Sequence, residues 1–217
     1  MCARFTLRRK KVRELADELA AELGPDDEPL YRARFNVAPT DLAWIVDGGD
    51  HGRALRAATW SYVVGEGARR LINVRGESVG AGAGFREAFA GRRCAVVTDG
   101  FYEWPATKGQ APTLFHRADD GLVLLGGLWQ RARPGDAHPR FTVLTTRPSA
   151  AVARVHDRMP VVVPLAHLDR WLAGSPAEAA TMLGPAPDDA LVATLVSKHV
   201  NNVRNDDPAC VAPAEPA

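Results

Sequence analysis

The sequence has almost no net charge: 27 Lys and Arg stand against 26 Asp and Glu, leaving +1 over 217 residues. That excludes the crude signature of a strongly basic nucleic-acid binder, although a local basic groove fits the same total. Cysteine is scarce too. Cys2, Cys94 and Cys210 are the only three, an odd and widely spaced set that makes no disulfide framework. Cys210 lies far from any Cys/His pair of zinc spacing, and His51, His116, His138, His167 and His199 are scattered, so no metal is expected, nor any cofactor. No run of about 18 apolar residues offers a membrane span. The opening MCARFTLRRKK lacks the apolar stretch of a signal peptide. A cytoplasmic protein with reduced thiols is the expectation.

Hydrophobic residues at 46% and charged residues at 24% are ordinary for a globular chain. The length fits one domain, expected over residues 1–211, with a frayed Pro/Ala-rich tail at 212–217. The stripe of Val12, Leu15, Leu19 and Leu23 predicts a helix over residues 7–23, stopped by Gly24-Pro25. Strand patterns then dominate: Leu42–Val46 and Ala54–Val64 around an Asp47-Gly48-Gly49-Asp50 turn, then Ala95–Thr98, Thr113–His116, Leu122–Leu128 and Phe141–Thr146. A short helix is expected near Phe85–Phe89 and another at Leu165–Leu172. Ser175-Pro176-Ala177-Glu178 reads as a capped helix start, and Leu191–Val196 as a last strand. The fold class is α+β: one compact β-rich domain, its strands wrapped into a partly closed, barrel-like core with peripheral helices.

Four segments carry chemistry. Cys2 gains a free α-amine beside its thiol once Met1 is removed. With pKa values of about 7.7–8.0 and 8.5, both groups are partly nucleophilic near neutrality. Such a 1,2-aminothiol can attack an aldehyde twice, first as amine and then as thiol. Glu103, in Gly100-Phe101-Tyr102-Glu103-Trp104, is an acid between aromatics, where desolvation raises a carboxyl's pKa and suits it to proton transfer. His156-Asp157-Arg158 joins an imidazole, an acid and a guanidinium. Alternation along Ile72–Ser78 puts Asn73 and Arg75 on one side of a strand.

In order, Met1–Phe5, Phe35–Thr40, Ile72–Ser78, Arg92–Cys94, Gly100–Trp104, Leu144–Thr146, His156–Pro160 and Val200–Pro208 resemble the SOS response-associated peptidase family, the abasic-site-processing proteins. The resemblance implies a compact α+β fold with a groove for single-stranded DNA. It also implies a thiazolidine crosslink between Cys2 and the aldehyde of an abasic site, with self-removal of Met1. It implies catalytic roles for Cys2, Asn73, Glu103 and His156. Arg4, Arg75 and Arg158 would meet phosphates, Pro39 and Trp60 would sit near the bases, and Asn36 completes the DNA-binding set. A monomer is expected, gathered on the nucleoid during DNA damage, with no membrane partner. The sequence departs from the family pattern at Ala3, where glycine is usual, at Gly76, and at Ser61-Tyr62 after Trp60. A cysteine peptidase or N-terminal-nucleophile amidohydrolase acting on other substrates fits the same residues, and so does a DNA-binding module that has lost its chemistry.

Overall fold

The structure, a computed structural model, describes residues 2–9, 11–49, 52–65, 69–80, 82–107 and 109–214. Among them the strands are β1 (Arg4–Leu7), β2 (Ala21–Leu23), β3 (Arg34–Val37), β4 (Leu42–Gly49), β5 (Gly52–Trp60), β6 (Tyr62–Val64), β7 (Arg69–Leu71), β8 (Asn73–Arg75), β9 (Arg93–Thr98), β10 (Gly100–Glu103), β11 (Thr113–His116), β12 (Val123–Gln130), β13 (Arg140–Thr146), β14 (Met159–Pro160) and β15 (Val192–Leu195). The helices are α1 (Val12–Leu19), α2 (Ala83–Gly91), α3 (Ala150–Ala153), α4 (Leu168–Ala173) and α5 (Pro176–Ala180), joined by short 3-10 turns.

The fold is α+β and β-rich, as the strand patterning implies. One sheet runs β15-β11-β10-β1-β3, and the larger one runs β14-β13-β12-β9-β4-β5-β2. In the larger sheet β13 also pairs in parallel with β5 at Arg140 and Phe141, which closes β13, β12, β9, β4 and β5 into a ring. Closure of this kind removes exposed strand edges. Ile45, Ala58, Trp60, Val96, Leu125 and Val143 pack one cluster together with Cys2, Phe5 and Phe101 of the smaller sheet. A second cluster covers the opposite faces, where α1, α2 and α4 seal Leu15, Leu19, Ala88 and Trp171 against the strands.

The first helix is shorter than residues 7–23. Arg4–Leu7 is drawn into the sheet between β10 and β3, and tertiary pairing overrides the helical stripe there. At the other end Ala20 adopts a left-handed conformation, φ 46°, and caps α1. Ala21–Leu23 then pairs with β5. Of the residues expected to form the first hairpin turn, Asp47–Gly49 belong to β4, with Gly49 opposite Gly52, and Asp50 lies outside the described residues. Beyond Trp60 the expected long strand breaks at Ser61. Residues 212–214 are not frayed, because Ala214 donates to the Leu195 carbonyl and Ala212 accepts from the Ser197 amide. The tail's last three residues, 215–217, are outside the described set. The Ser175 capping box forms as expected.

Arg93 ties the helical side to the ring. It is 3% exposed and ends in no carboxylate. Its guanidinium donates to the carbonyls of Phe89 and Ala90 at the end of α2, and to those of Trp171, Leu172 and Gly174 at the end of α4. Helix C-termini leave carbonyls without partners, and a cation satisfies them with charge-assisted bonds. Replacing Arg93 by Met should lower unfolding stability by about 3 kcal/mol, because charged hydrogen bonds of this type contribute about 1.5–3 kcal/mol each and the remaining carbonyls stay buried. Urea unfolding measures it, and a change below about 1 kcal/mol would show that the two helix ends find other donors.

Candidate functional site

Cys2 precedes β1, which lies between β10 and the edge strand β3 in the smaller sheet. Its side chain is fully buried. Burial pushes its thiol well above the ordinary value, and the nearby Glu103 charge adds to that. The group is therefore a neutral thiol at physiological pH. All three cysteines are free and buried.

Glu103 ends β10, 1% exposed. The pairing of Arg4 with Tyr102 brings this strand end against the chain's start. Burial raises its carboxyl to about 7, with a smaller push from Asp157. The aromatic neighbourhood read from the sequence is real: Tyr102 is fully buried and Trp104 half-buried.

Asn73 opens β8, which is held in parallel against β13: Asn73, Val74 and Arg75 face Val143, Leu144 and Thr145. Its Nδ2 donates to the Cys2 carbonyl at 2.7 Å. That bond fixes the amide's orientation, and the buried Oδ1 accepts from no described residue. Trp60 secures the approach to Asn73 by donating from Nε1 to the Ile72 carbonyl at 2.8 Å. The Trp60 ring packs between Phe5 and Phe141 and is fully buried. It therefore presents no face to a base, and its visible work is positioning Ile72 and Asn73.

His156 follows α3 and precedes β14, which pairs with the end of β13. The Arg158 amide lies 3.0 Å from Nδ1. Asp157 lies 3.0 Å from the same Nδ1. Burial moves His156 below its ordinary value, against the upward pull of Asp157, which favours the neutral ring near pH 7.

Arg158 is committed within the protein. Nη1 and Nη2 make a bidentate pair with Glu77 at 2.8 Å each, and Nη2 also donates to the Thr145 carbonyl. Glu77, placed in the motif but not singled out by the sequence, thus fastens the His156 segment to the Asn73 segment. Gly76 beside it is buried, and a Cβ there would lie 3.3 Å from both the Thr145 carbonyl and Leu183. This departure from the family pattern serves a close approach of the backbone to its neighbours.

Arg4 and Asn36 form a second pair. Arg4 donates to Asn36 Oδ1 at 2.9 Å and to the Val200 carbonyl, and lies over the Trp104 ring. Asn36 is fully buried. Its Nδ2 reaches the Val200, Asn202 and Asn205 carbonyls, and its amide donates to Asp206. It orients Arg4 and the 200–206 segment and has no surface to offer a ligand. Asp206, which also takes Arg34 and the Phe35 amide, was not picked out by the sequence. Pro39 is half-buried, before Thr40 at φ 75°, a conformation rare for a β-branched residue. Arg75 is exposed and has no ion pair among the described residues.

His199, Asp207 and Cys210 come within 4.8 Å of one another, a grouping their sequence spacing hides. Their polar atoms are used internally. Asn205 Nδ2 lies 3.1 Å from His199 Nδ1, which leaves Nε2 to donate to Asp207 at 2.9 Å. A metal at Nε2 would have to displace that bond.

Residues 1–203 match the family model described as SOS response associated peptidase (SRAP). The chain is 28% identical to abasic site processing protein YoqW of Bacillus subtilis, over 97% of this chain and 99% of that protein. It is 25% identical to abasic site processing protein YedK of Escherichia coli, over 98% and 100%. Among solved structures, a Bacteroides thetaiotaomicron protein superposes with a TM-score of 0.84 at 19% identity, covering 99% of this chain and all of that one. A Bordetella bronchiseptica protein gives 0.76 at 23% identity, over 90% and 100%.

The raised carboxyl of Glu103 has a measurable consequence. The folded protein holds this proton more tightly than an unfolded Glu at its ordinary 4.5. Its stabilising contribution is therefore complete below about pH 4.5 and is lost as pH rises through about 7. Glu103→Gln should be more stable than the parent above pH 7, by up to about 3 kcal/mol, with the gap shrinking towards pH 5. Urea unfolding at pH 5 and pH 8 reads the difference, and a pH-independent gap would place the strain elsewhere.

Proposed function

Since the chain belongs to the SOS response associated peptidase family, we propose that it processes abasic sites in single-stranded DNA, joining them covalently through Cys2 after Met1 is removed. The observation that carries this reading is the bond from Asn73 Nδ2 to the Cys2 carbonyl. It leaves the buried Oδ1 of Asn73 as an acceptor next to the place where a freed Cys2 amine would stand.

The environment sets the order of steps. The thiol is held protonated by burial, whereas an α-amine has a pKa of about 7.7–8.0. The amine therefore attacks first. Its nitrogen bonds to the aldehyde carbon of the ring-opened sugar, and loss of water gives an imine. The Cys2 sulfur then adds to the imine carbon, its proton passing to the nitrogen, and a five-membered thiazolidine closes. The net change is loss of one water. Glu103, with a carboxyl near 7, exchanges protons with the amine and thiol close to neutrality. His156 donates a proton to the sugar oxygen as the ring opens. Before any of this, hydrolysis adds water across the Met1–Cys2 peptide, and Glu103 is the base suited to activate the attack. Arg4 and Arg75 meet phosphates. Arg158 would do so only by yielding its bond to Glu77, so its part is to hold His156 in place. The three reduced cysteines suit a cytoplasmic setting.

A peptidase acting in trans is less well supported. Cysteine peptidases lower the thiol's pKa to make a thiolate, and here burial raises it.

The test mixes the purified protein with a single strand bearing one abasic site, then denatures it. A band of retarded mobility is expected, together with an intact protein mass lacking one Met. Cys2→Ala should abolish the band, and Asn73→Ala should slow its formation by about 10²-fold, as for loss of one positioning group. Binding that disappears on denaturation would leave only a non-covalent module. Repeated cleavage of a supplied peptide would favour the peptidase.

A further inference from the structure

We propose that the pocket walled by Tyr62, Arg92, Gln130, Arg131 and Arg133 binds a backbone phosphate of the DNA strand that enters the Cys2 site. The proposal rests on the functional reading above and adds a second anchoring point to it. The cavity holds about 340 Å³. Three guanidiniums, a phenol and an amide line it, with no carboxylate among the lining residues.

The cations arrive from separate parts of the chain: Arg92 follows α2, Arg131 and Arg133 follow β12, and Tyr62 comes from β6. Like charges gathered this way repel, and several other arginines of the chain are met by an acid. Arg13 meets Glu28, Arg53 meets Asp169, Arg117 meets Asp119, and Arg140 meets Asp136. In the pocket, Arg92 reaches Glu87 with Nη1 only. Arg133 spends Nη2 on the Val63 and Gly65 carbonyls. Exposed Arg131 has no ion pair among the described residues. Gln130 uses Oε1 to accept from the Val63 amide at 2.9 Å, which turns its NH₂ away as a donor. The walls are thus fixed by backbone contacts while donors remain for an anion, the arrangement that recognises phosphate.

The pocket is connected to the Asn73 segment through the β6–β7 pair. Val63 and Val64 face Arg70 and Arg69 of β7, both exposed, and neither has an ion pair among the described residues. Leu71 faces Tyr62 and precedes Asn73 by two residues. From the Tyr62 backbone to Asn73 is therefore at most roughly 12 Å, about 5 Å across the strand pair and 7 Å along the chain. With one phosphate per 3.4 Å of rise along a strand, this is the reach of about three or four nucleotides. Arg69, Arg70 and Arg75 supply cations between.

The experiment compares the wild-type protein, the double variant Arg92→Gln/Arg131→Gln and the distant control Arg117→Gln. Non-covalent affinity is measured by fluorescence anisotropy on unmodified single strands, one just long enough for the Cys2 site and one several nucleotides longer, across a salt series. The double variant should bind the long strand about tenfold more weakly. Its log Kd against log salt should flatten by about 1.4, or 0.7 for each phosphate that an arginine no longer neutralises on a single strand. The short strand should bind as before, and Arg117→Gln should change neither. Equal losses on both strands, or an unchanged salt slope, would overturn the proposal. Inorganic phosphate at matched ionic strength is a third arm. Competition that the double variant abolishes, without any dependence on strand length, would assign the pocket to free phosphate and also overturn it. The crosslink of a short abasic strand to Cys2 reads the functional proposal separately. If the wild-type protein forms none, that reading falls, whereas a length-dependent loss on plain strands still supports the pocket.

Discussion

The strand β13 is the constraint on which the rest depends. It bonds to β12 and then β14 along one edge and takes β5 and then β8 on the other, at successive positions along its length. A buried strand must find a partner for each backbone donor and acceptor, and three short segments share that requirement here. The result closes the ring and also sets the reaction site. Val143 faces Asn73, while Thr146 faces Met159, three residues after His156. Arg158 then bridges to Glu77 and to the Thr145 carbonyl, so the Asn73 and His156 segments cannot move independently. Gly76 lets the backbone come close enough to Thr145 for this to happen.

A candidate reactive group buried just ahead of a strand is an unusual choice, because desolvation suppresses charge on every titratable neighbour. Cys2 and Glu103 both show it. The same burial has a chemical use. A thiol kept neutral resists oxidation, which proceeds through the thiolate. In the proposed reaction it also leaves the first attack to the amine, and a carboxyl poised near neutrality can both take and return a proton. The destabilisation that Glu103 carries above neutral pH follows directly from that poise.

Much of the fold was legible because its strands alternate or run apolar between turn residues. Thr113–His116 and the capped helix at Ser175 are reproduced at the residues expected. What escaped was decided by non-local pairing. Residues 4–7 carry no local mark that distinguishes a strand from the start of a helix, and only β10 and β3 decide between them. The site was half legible. Cys2, Asn73, Glu103 and His156 are chemically conspicuous, and the family resemblance grouped them. Asn36 and Trp60 belong to the right neighbourhoods, but side-chain direction is set by packing, and both point inward. Glu77 and Asp206 were missed because an exposed-looking acid gives no sign of the arginine it will hold.

Charge shows the same separation between what a sequence totals and what a fold arranges. A net charge of +1 looks unsuited to a polyanion. Among the described residues several arginines meet acids, as Arg13, Arg53, Arg117 and Arg140 do, and long-range binding depends on the local field. Arg69, Arg70 and Arg75 have no ion pair among the described residues and lie on β7 and β8, the segment that contains Asn73. Under the proposed function, cations gathered beside Asn73 would give a near-neutral protein the salt-dependent attraction that a strand without a base to read requires, since only its phosphates and its aldehyde remain to be recognised.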